Sequence, residues 1–305
     1  MDYRKERYLE FLSVKCLLER MRDFFGNLVT HAADGRLAPL GVIEHESLWV
    51  AFTHVLEEFD LRGESWRNPI TNFKEHLVVP RSERVMKSLC LIKDKQFVKS
   101  GRHYKFGKHK HMRSLLEFGT VRIAPASSFQ DAGMGAARRD TELWIETMPR
   151  LRDLNALCAR DRLSPPEVST LPEYSRPWKY ISVAKSDYYI HCLSKRYDHR
   201  FFDDFDADAV LVIKDPGAFA RRLHQGVELK LKGWKSTAID VEYVDPLFPR
   251  TDTLNPFFCK HFRYFYQQEH RHFWISPNNK TVSRLPAFLV DIGPLADICE
   301  LATLT

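Results

Sequence analysis

The stretch Phe265-Tyr266-Gln267-Gln268-Glu269-His270-Arg271-His272-Phe273-Trp274 is the segment around which the rest of the chain is read. As a strand, it sets Gln267, Glu269 and Arg271 on one face and turns Gln268 away. A carboxylate among aromatic neighbours is partly desolvated, while a nearby Arg favours its charged form. Such a Glu suits holding a sugar hydroxyl while positive charge develops at the anomeric carbon. The same pattern also fits a surface strand with one polar face and an ordinary Glu–Arg pair, and alternation alone does not separate the two.

Working outward, segments of strand character run over 180–194, 209–213, 227–231, 237–244, 262–275 and 287–292. His103 to Phe106 reads as a strand and His111 to Phe118 as a helix, which Gly119 ends before a further strand over Val121 to Ile123. Thr141 to Arg162 reads as helix, within a helical and loop excursion over 138–178. Many strands with few long helices between them predict an α+β fold over a doubly wound parallel sheet. The first part of the chain is helical in pattern. Leu9, Leu12, Leu17, Met21, Phe24, Phe25 and Leu28 recur at three- and four-residue steps, and Leu48, Phe52, Val55, Leu56 and Phe59 form a second stripe within Ile43 to Phe59. Asn68-Pro69 and Val79-Pro80 break the pattern, and a short helix follows over Ser82 to Ile92. The expected organisation is a helical accessory domain over 1–95 and a catalytic domain over 96–305.

The 305 residues are 44% hydrophobic, 12% aromatic and 28% charged, which is ample for a buried core and excludes a disordered chain. No apolar run approaches the roughly 18–20 residues that cross a bilayer, and the charged start Met1-Asp2-Tyr3-Arg4-Lys5-Glu6-Arg7 lacks a signal-peptide pattern. The expectation is a cytoplasmic protein with no membrane partner. The six cysteines stand singly with no CxxC pair, so neither a zinc knuckle nor a redox motif is expected. The net charge of +6 is compatible with a polyanionic substrate. His109 and His111 have no paired carboxylate nearby, and no metal site is expected. Lys105, Lys108, His109, Lys110, His111 and Arg113 form a basic run that fits a solvated face as well as a nucleic-acid or pyrophosphate contact. The run Arg138 to Trp144 reads as a helix entry or a substrate loop.

Three segments together carry a resemblance. Gln267-Gln268-Glu269 resembles the Gln-x-Glu catalytic motif of the ADP-ribosyltransferase superfamily. His103 to Ile123 is similar to that superfamily's opening strand, helix, glycine and second strand, and Tyr188 to Ser194 is similar to its middle strand. In wording, the chain also resembles a bacterial domain-of-unknown-function family with Tyr-Lys-Tyr, Pro-x-x-Phe-Asn-Asp-Pro, Cys-Phe-Ser and Glu-x-Glu-x-Arg motifs. The counterparts are Tyr104-Lys105-Phe106, Pro125 to Asp131, Cys192-Leu193-Ser194 and Gln267 to Arg271. Gln130 and Ala132 depart from that pattern, as does the first strand, which lacks the usual His-Gly-Thr or Arg signature.

The resemblance implies an NAD-dependent ADP-ribosyltransferase with two small packed sheets and flanking helices. It implies Glu269 as the group on the nicotinamide ribose and Gln267 as its helper. Tyr104, Lys105, His103, Ser194, Tyr188 and Arg271 would serve NAD, and Glu269, Gln267, Tyr104, Lys105 and Ser194 would line one cleft. The acceptor would be a macromolecule, with the basic balance favouring nucleic acid over protein. Analogy with the family extends this to a bacterial toxin or phage-defence effector with an antitoxin or regulatory partner. Two rival readings are a nuclease that uses His, Lys and Glu without NAD, and a non-catalytic module that binds nucleic acid or protein.

Overall fold

Ser13 opens a helix by accepting a hydrogen bond from Cys16 N at 3.2 Å. Leu17, Met21, Phe24 and Leu28 then bury one stripe of it. The computed structural model describes residues 2–32, 34–64, 82–94, 98–130, 142–163, 178–277 and 285–304. In it, α1 (Tyr3–Glu6) and α2 (Val14–Leu28) are followed by a hairpin of β1 (Val29–His31) and β2 (Leu37–Pro39), then α3 (Glu46–Leu61) and α4 (Glu83–Asp94). The breaks at Asn68-Pro69 and Val79-Pro80 lie outside the described residues. Among the described residues no helix is long and apolar enough to cross a membrane.

These helices share a core with distant residues. Tyr8, Leu17, Met21, Phe24 and Phe59 cluster with Leu247 and Phe262. Each such side chain, fully buried, contributes roughly 1.5–3 kcal/mol. Buried Arg20 pairs with Asp245, with one nitrogen–oxygen distance of 2.9 Å. The helical stretch is therefore packed onto the strand-rich part.

That part begins with β3 (His103–Gly107), α5 (His109–Phe118) and β4 (Thr120–Pro125). Gly119 ends α5 at φ 71°, donating to Leu115 O at 3.0 Å, and a Cβ there would run into the carbonyl oxygen of Gly293. β5 (Trp144–Thr147) pairs with β6 (Tyr180–Val183), and α6 (Leu151–Asp161) lies between them in sequence. Next come β7 (Tyr189–Ser194), α7 (Phe201–Asp204), β8 (Ala209–Ile213), α8 (Pro216–Glu228), β9 (Lys235–Asp240), β10 (Glu242–Val244) and β11 (Cys259–His261). A 3₁₀ segment over Phe262–Gln267 leads into β12 (Glu269–Ile275), β13 (Phe288–Asp291) and β14 (Cys299–Thr303).

The fold is α+β, and the described residues form an eight-stranded sheet and three two-stranded ones. β7 is the fork of the large sheet. One edge pairs with β12 from Tyr189 to Ser194, and β12 carries β9 on its far side. The other edge meets β4 at Tyr189 and Ile190 and β3 at Ser194. β3 continues to β8 and β14, and β4 to β13. One face is covered by α5 and α8, whose Met112, Leu115, Phe219, Leu223 and Val227 pack against Leu193, Leu211 and Trp274. The opposite face receives Glu269 and Arg271.

Several elements differ from expectation. Residues 227–231 were expected as strand, but Val227 and Glu228 end α8. Asp215 caps that helix at Ala218 N (2.8 Å), Pro216 starts it, and Phe219, Leu223 and Val227 face the sheet at four-residue steps. Residues 262–275 are strand only from Glu269. Residues 144–147, expected as helix, alternate in burial and form β5. The segment 180–194 splits because the Asp187 carboxylate accepts from the backbone N–H groups of Ser127 (3.1 Å) and Tyr188 (2.9 Å). Of the 138–178 excursion, residues 142–163 and 178 are described.

Candidate active site

Position 268 decides how the key corner is built. Gln268 has φ 42°, a left-handed backbone that ends the 3₁₀ segment and redirects the chain into β12. Gln267 therefore does not sit two residues before Glu269 on one strand, as alternation predicted. The two side chains meet all the same, because both reach the ammonium group of Lys260. The distances are 3.2 Å from Nζ to Gln267 Oε1 and 3.1 Å to Glu269 Oε2.

Glu269, Lys260, Arg271 and Glu142 form one buried charge network. Arg271 Nε donates to Glu269 Oε1 at 2.9 Å, and Nη2 lies 2.6 Å from Glu142 Oε2. Arg271 Nη1 donates to the carbonyls of Pro256 (3.2 Å) and Phe257 (3.3 Å). Lys260 Nζ lies 3.5 Å from Glu142 Oε1. All four side chains are at most 7% exposed. Two carboxylates against two cations leave the cluster neutral, which is what permits its burial. Burial alone would raise the Glu269 carboxyl, but Lys260 and then Arg271 outweigh it and hold the group well below the usual range. Glu269 is thus a fixed anion and not a proton acceptor near neutrality.

Neighbouring elements clamp the corner. The Ser194 hydroxyl lies 2.6 Å from the carbonyls of both Gln267 and Arg196, and its single proton serves one of them. The Tyr243 hydroxyl accepts from Glu269 N at 2.7 Å. From α2, the buried Asn27 amide donates to Phe262 O (3.0 Å) and accepts from Tyr266 N (2.8 Å), pinning both ends of the 3₁₀ segment. Arg200 lies over the Tyr266 ring at 3.5 Å and donates to Gly26 O at 2.8 Å.

Glu269 opens onto a cleft of about 220 Å³ lined by Lys195, Asp240, Val241, Tyr243, Phe265, Gln268 and Glu269 itself. The Tyr243 and Phe265 rings meet edge to face at 5.4 Å and form its aromatic wall. On the rim, Asp240 takes Lys195 Nζ at 2.7 Å and His270 Nδ1 at 2.8 Å.

The predicted site residues fall into two sets. Glu269, Gln267, Arg271 and Ser194 come together. Tyr188 lies behind them, fully buried, donating to Glu142 O at 2.9 Å. Its burial leaves it no access to a ligand in the cleft. Tyr104 pairs with Ser194 in register, yet its ring is sealed among Phe106, Tyr197, Phe201 and Phe202. Lys105 and His103, expected in the cleft with Glu269, alternate onto the opposite face of the sheet. Lys105 donates to Cys192 O at 2.7 Å, and the His103 ring packs 4.6 Å from that of His270. The reason is the Tyr104–Ser194 pairing, which turns the residues on either side of Tyr104 away from Glu269.

Lys260, Tyr243, Asp240 and Lys195 were not anticipated, and Glu142 was noted only within the run Arg138 to Trp144, as a helix entry or a substrate loop. Lys260 follows Phe257-Phe258-Cys259, and a Lys ending so apolar a run is a sign of a buried, paired ammonium group. Among the described residues, no group of three or more His, Cys, Asp or Glu side chains is arranged to hold a metal ion. Comparison with protein-family models, with curated proteins and with solved structures found no match. The resemblance to ADP-ribosyltransferases therefore rests on the residues of this chain.

Proposed function

We propose that the chain is an NAD-dependent ADP-ribosyltransferase whose cleft beside Glu269 takes the nicotinamide–ribose end of NAD. What supports the reading is that one residue, Glu269, both lines a cleft with an aromatic wall and carries a buried carboxylate held charged by Lys260 and Arg271. An oxocarbenium-like centre needs a fixed negative charge, and one already organised by Lys260 and Arg271 costs no reorganisation as the reaction proceeds. Tyr243 and Phe265 offer ring faces and edges to a nicotinamide. The volume is below the roughly 300–1,000 Å³ of a site for a drug-sized ligand. It matches one end of the dinucleotide, with the remainder lying outside. The acceptor is a macromolecule, and the +6 net charge favours a polyanionic one.

A second reading, a non-catalytic module, is favoured by one observation: internal cations engage both oxygens of Glu269. In that case the network only holds the corner together. Incubation of the protein with adenine-labelled NAD and a cell extract separates the two. Transfer of label to RNA, DNA or protein supports the transferase, and an unlabelled extract with intact NAD supports the module.

A further inference from the structure

The face of the sheet opposite Glu269 carries a layer of imidazoles under α8. His103 on β3, His191 on β7 and His270 and His272 on β12 share that face, and α8 adds His224. Ring centroids lie 4.6 Å apart for His103 and His270, 5.1 Å for His270 and His272, 5.3 Å for His272 and His224, and 6.4 Å for His272 and His191. Phe219 of α8 packs 6.1 Å from His191 and 6.3 Å from His272, and these two histidines are 5% and 1% exposed. The charges acting on the layer come from Lys105, Lys195 and Asp240. Asp240 is already taken by His270 at 2.8 Å and Lys195 at 2.7 Å.

The layer is wired for neutral rings. His191 bonds the backbone of Arg122, and its Nε2 is buried with no hydrogen-bond partner among the described residues. A proton added there is a buried donor without an acceptor, on a charged ring beside Phe219. His224 Nε2 meets His272 Nδ1 at 3.1 Å, a bond with room for one hydrogen; with both rings protonated, two N–H groups face each other. Burial, then Lys105, holds the His191 pKa well below the ordinary histidine value. Burial, then His270 and His224, takes His272 down to about 2. Burial, then His270, takes His103 down to about 4 and lowers His224.

We propose that this imidazole layer is an acid-sensitive clasp, which holds α8 on the sheet near neutrality and lets it lift as the pH falls. Lifting α8 lets water reach His191 and His272, so each takes a proton in the open state that it refuses in the closed one. The sign follows from the lowered pKa values. Well above the open-state value of about 6.5, neither state binds a proton and the clasp is at full strength. Below it the open state gains, and for His272 the gain continues down to about pH 2. Lifting also frees one side of β12, whose other side carries Glu269 and Arg271. The inference does not rest on the transferase reading; it adds a regulatory input to the strand on which that reading depends.

The test is hydrogen exchange of the full-length protein, read by mass spectrometry at pH 6.5 and 5.5 and corrected for the pH dependence of the intrinsic rate. Two rings that gain a proton on opening raise the opening constant of α8 by about 30-fold between these values. His272→Gln, whose amide can still bond His224, leaves one such ring, and the rise is expected to shrink to about fivefold. His191→Gln gives the same reduction and serves if the first variant does not fold. Amides of α8 whose opening is unchanged between the two pH values overturn the clasp, as does a folded variant that keeps the full wild-type rise. An equal rise in every segment of the chain reports global unfolding and overturns it too.

Discussion

Replacing Glu269 with Gln keeps the shape of the side chain and removes one charge from a neutral, fully buried set of four. Breaking a buried ion pair by removing one partner costs about 3–5 kcal/mol. Glu142 remains 2.6 Å from Arg271 and 3.5 Å from Lys260, so it offsets part of the excess positive charge. The lower end, about 3 kcal/mol, is expected. At roughly 2–4 °C per kcal/mol, the midpoint of thermal unfolding falls by about 6–12 °C. The pH dependence has a definite sign. The folded-state pKa of Glu269 is depressed, so its contribution is complete above the unfolded Glu value of about 4.3 and is lost as pH falls toward the folded value. Below about pH 4 the gap between wild type and variant narrows by about 1.4 kcal/mol per pH unit. Denaturant unfolding followed by circular dichroism at pH 7 and at pH 3.5 measures both quantities. Adding Lys260→Met to the variant restores a neutral set and is expected to recover most of the loss. A Glu269→Gln variant as stable as wild type at pH 7, or a gap that widens in acid, refutes the account of the network.

Four further outcomes are expected. Asn27→Ala leaves Phe262 O and Tyr266 N without their buried partner, costs about 1–3 kcal/mol, and lowers activity by loosening the corner before Glu269, as unfolding and NAD turnover measured together will show. Gly119→Ala meets both a φ of 71° and the Gly293 carbonyl; it should lose several kcal/mol or fail to fold, and soluble yield and thermal unfolding report this. Lys105→Ala should leave NAD affinity within about twofold, since Lys105 lies on the far face of the sheet; calorimetry showing a tenfold loss would return it to the site. Tyr188→Phe removes the hydrogen bond to Glu142 O and should cost about 1 kcal/mol, read by denaturant unfolding.

The α+β class was legible because strand-like runs outnumber long helices after residue 100. The segment around Gly119 was legible because a glycine after an amphipathic helix has one common use. Alternation misplaced Gln267 because it assumes one continuous strand, while contacts from Asn27, some 240 positions earlier, and a left-handed Gln268 set the local backbone. Helix α8 escaped because strand was expected over 227–231 from those residues alone, whereas the helix shows in Asp215-Pro216 taken with the four-residue spacing of Phe219, Leu223 and Val227. For the site, Glu269 and Arg271 could be paired from spacing alone. Their partners Lys260 and Glu142 arrive from separate elements, and no local pattern connects them. The face that Lys105 occupies follows from the single Tyr104–Ser194 pairing, which is a property of register and not of composition.

The central claim is that the cleft at Glu269 breaks the bond between nicotinamide and ribose. The most direct measurement is release of nicotinamide from nicotinamide-labelled NAD by the purified protein, with and without cell extract, compared with a Glu269→Asp variant. That variant keeps the charge that Lys260 and Arg271 need but withdraws the carboxylate by one methylene. The account predicts release by wild type, with a loss of about 10²–10³-fold in the folded variant. NAD left intact by the wild-type protein, with extract present and folding verified, contradicts it.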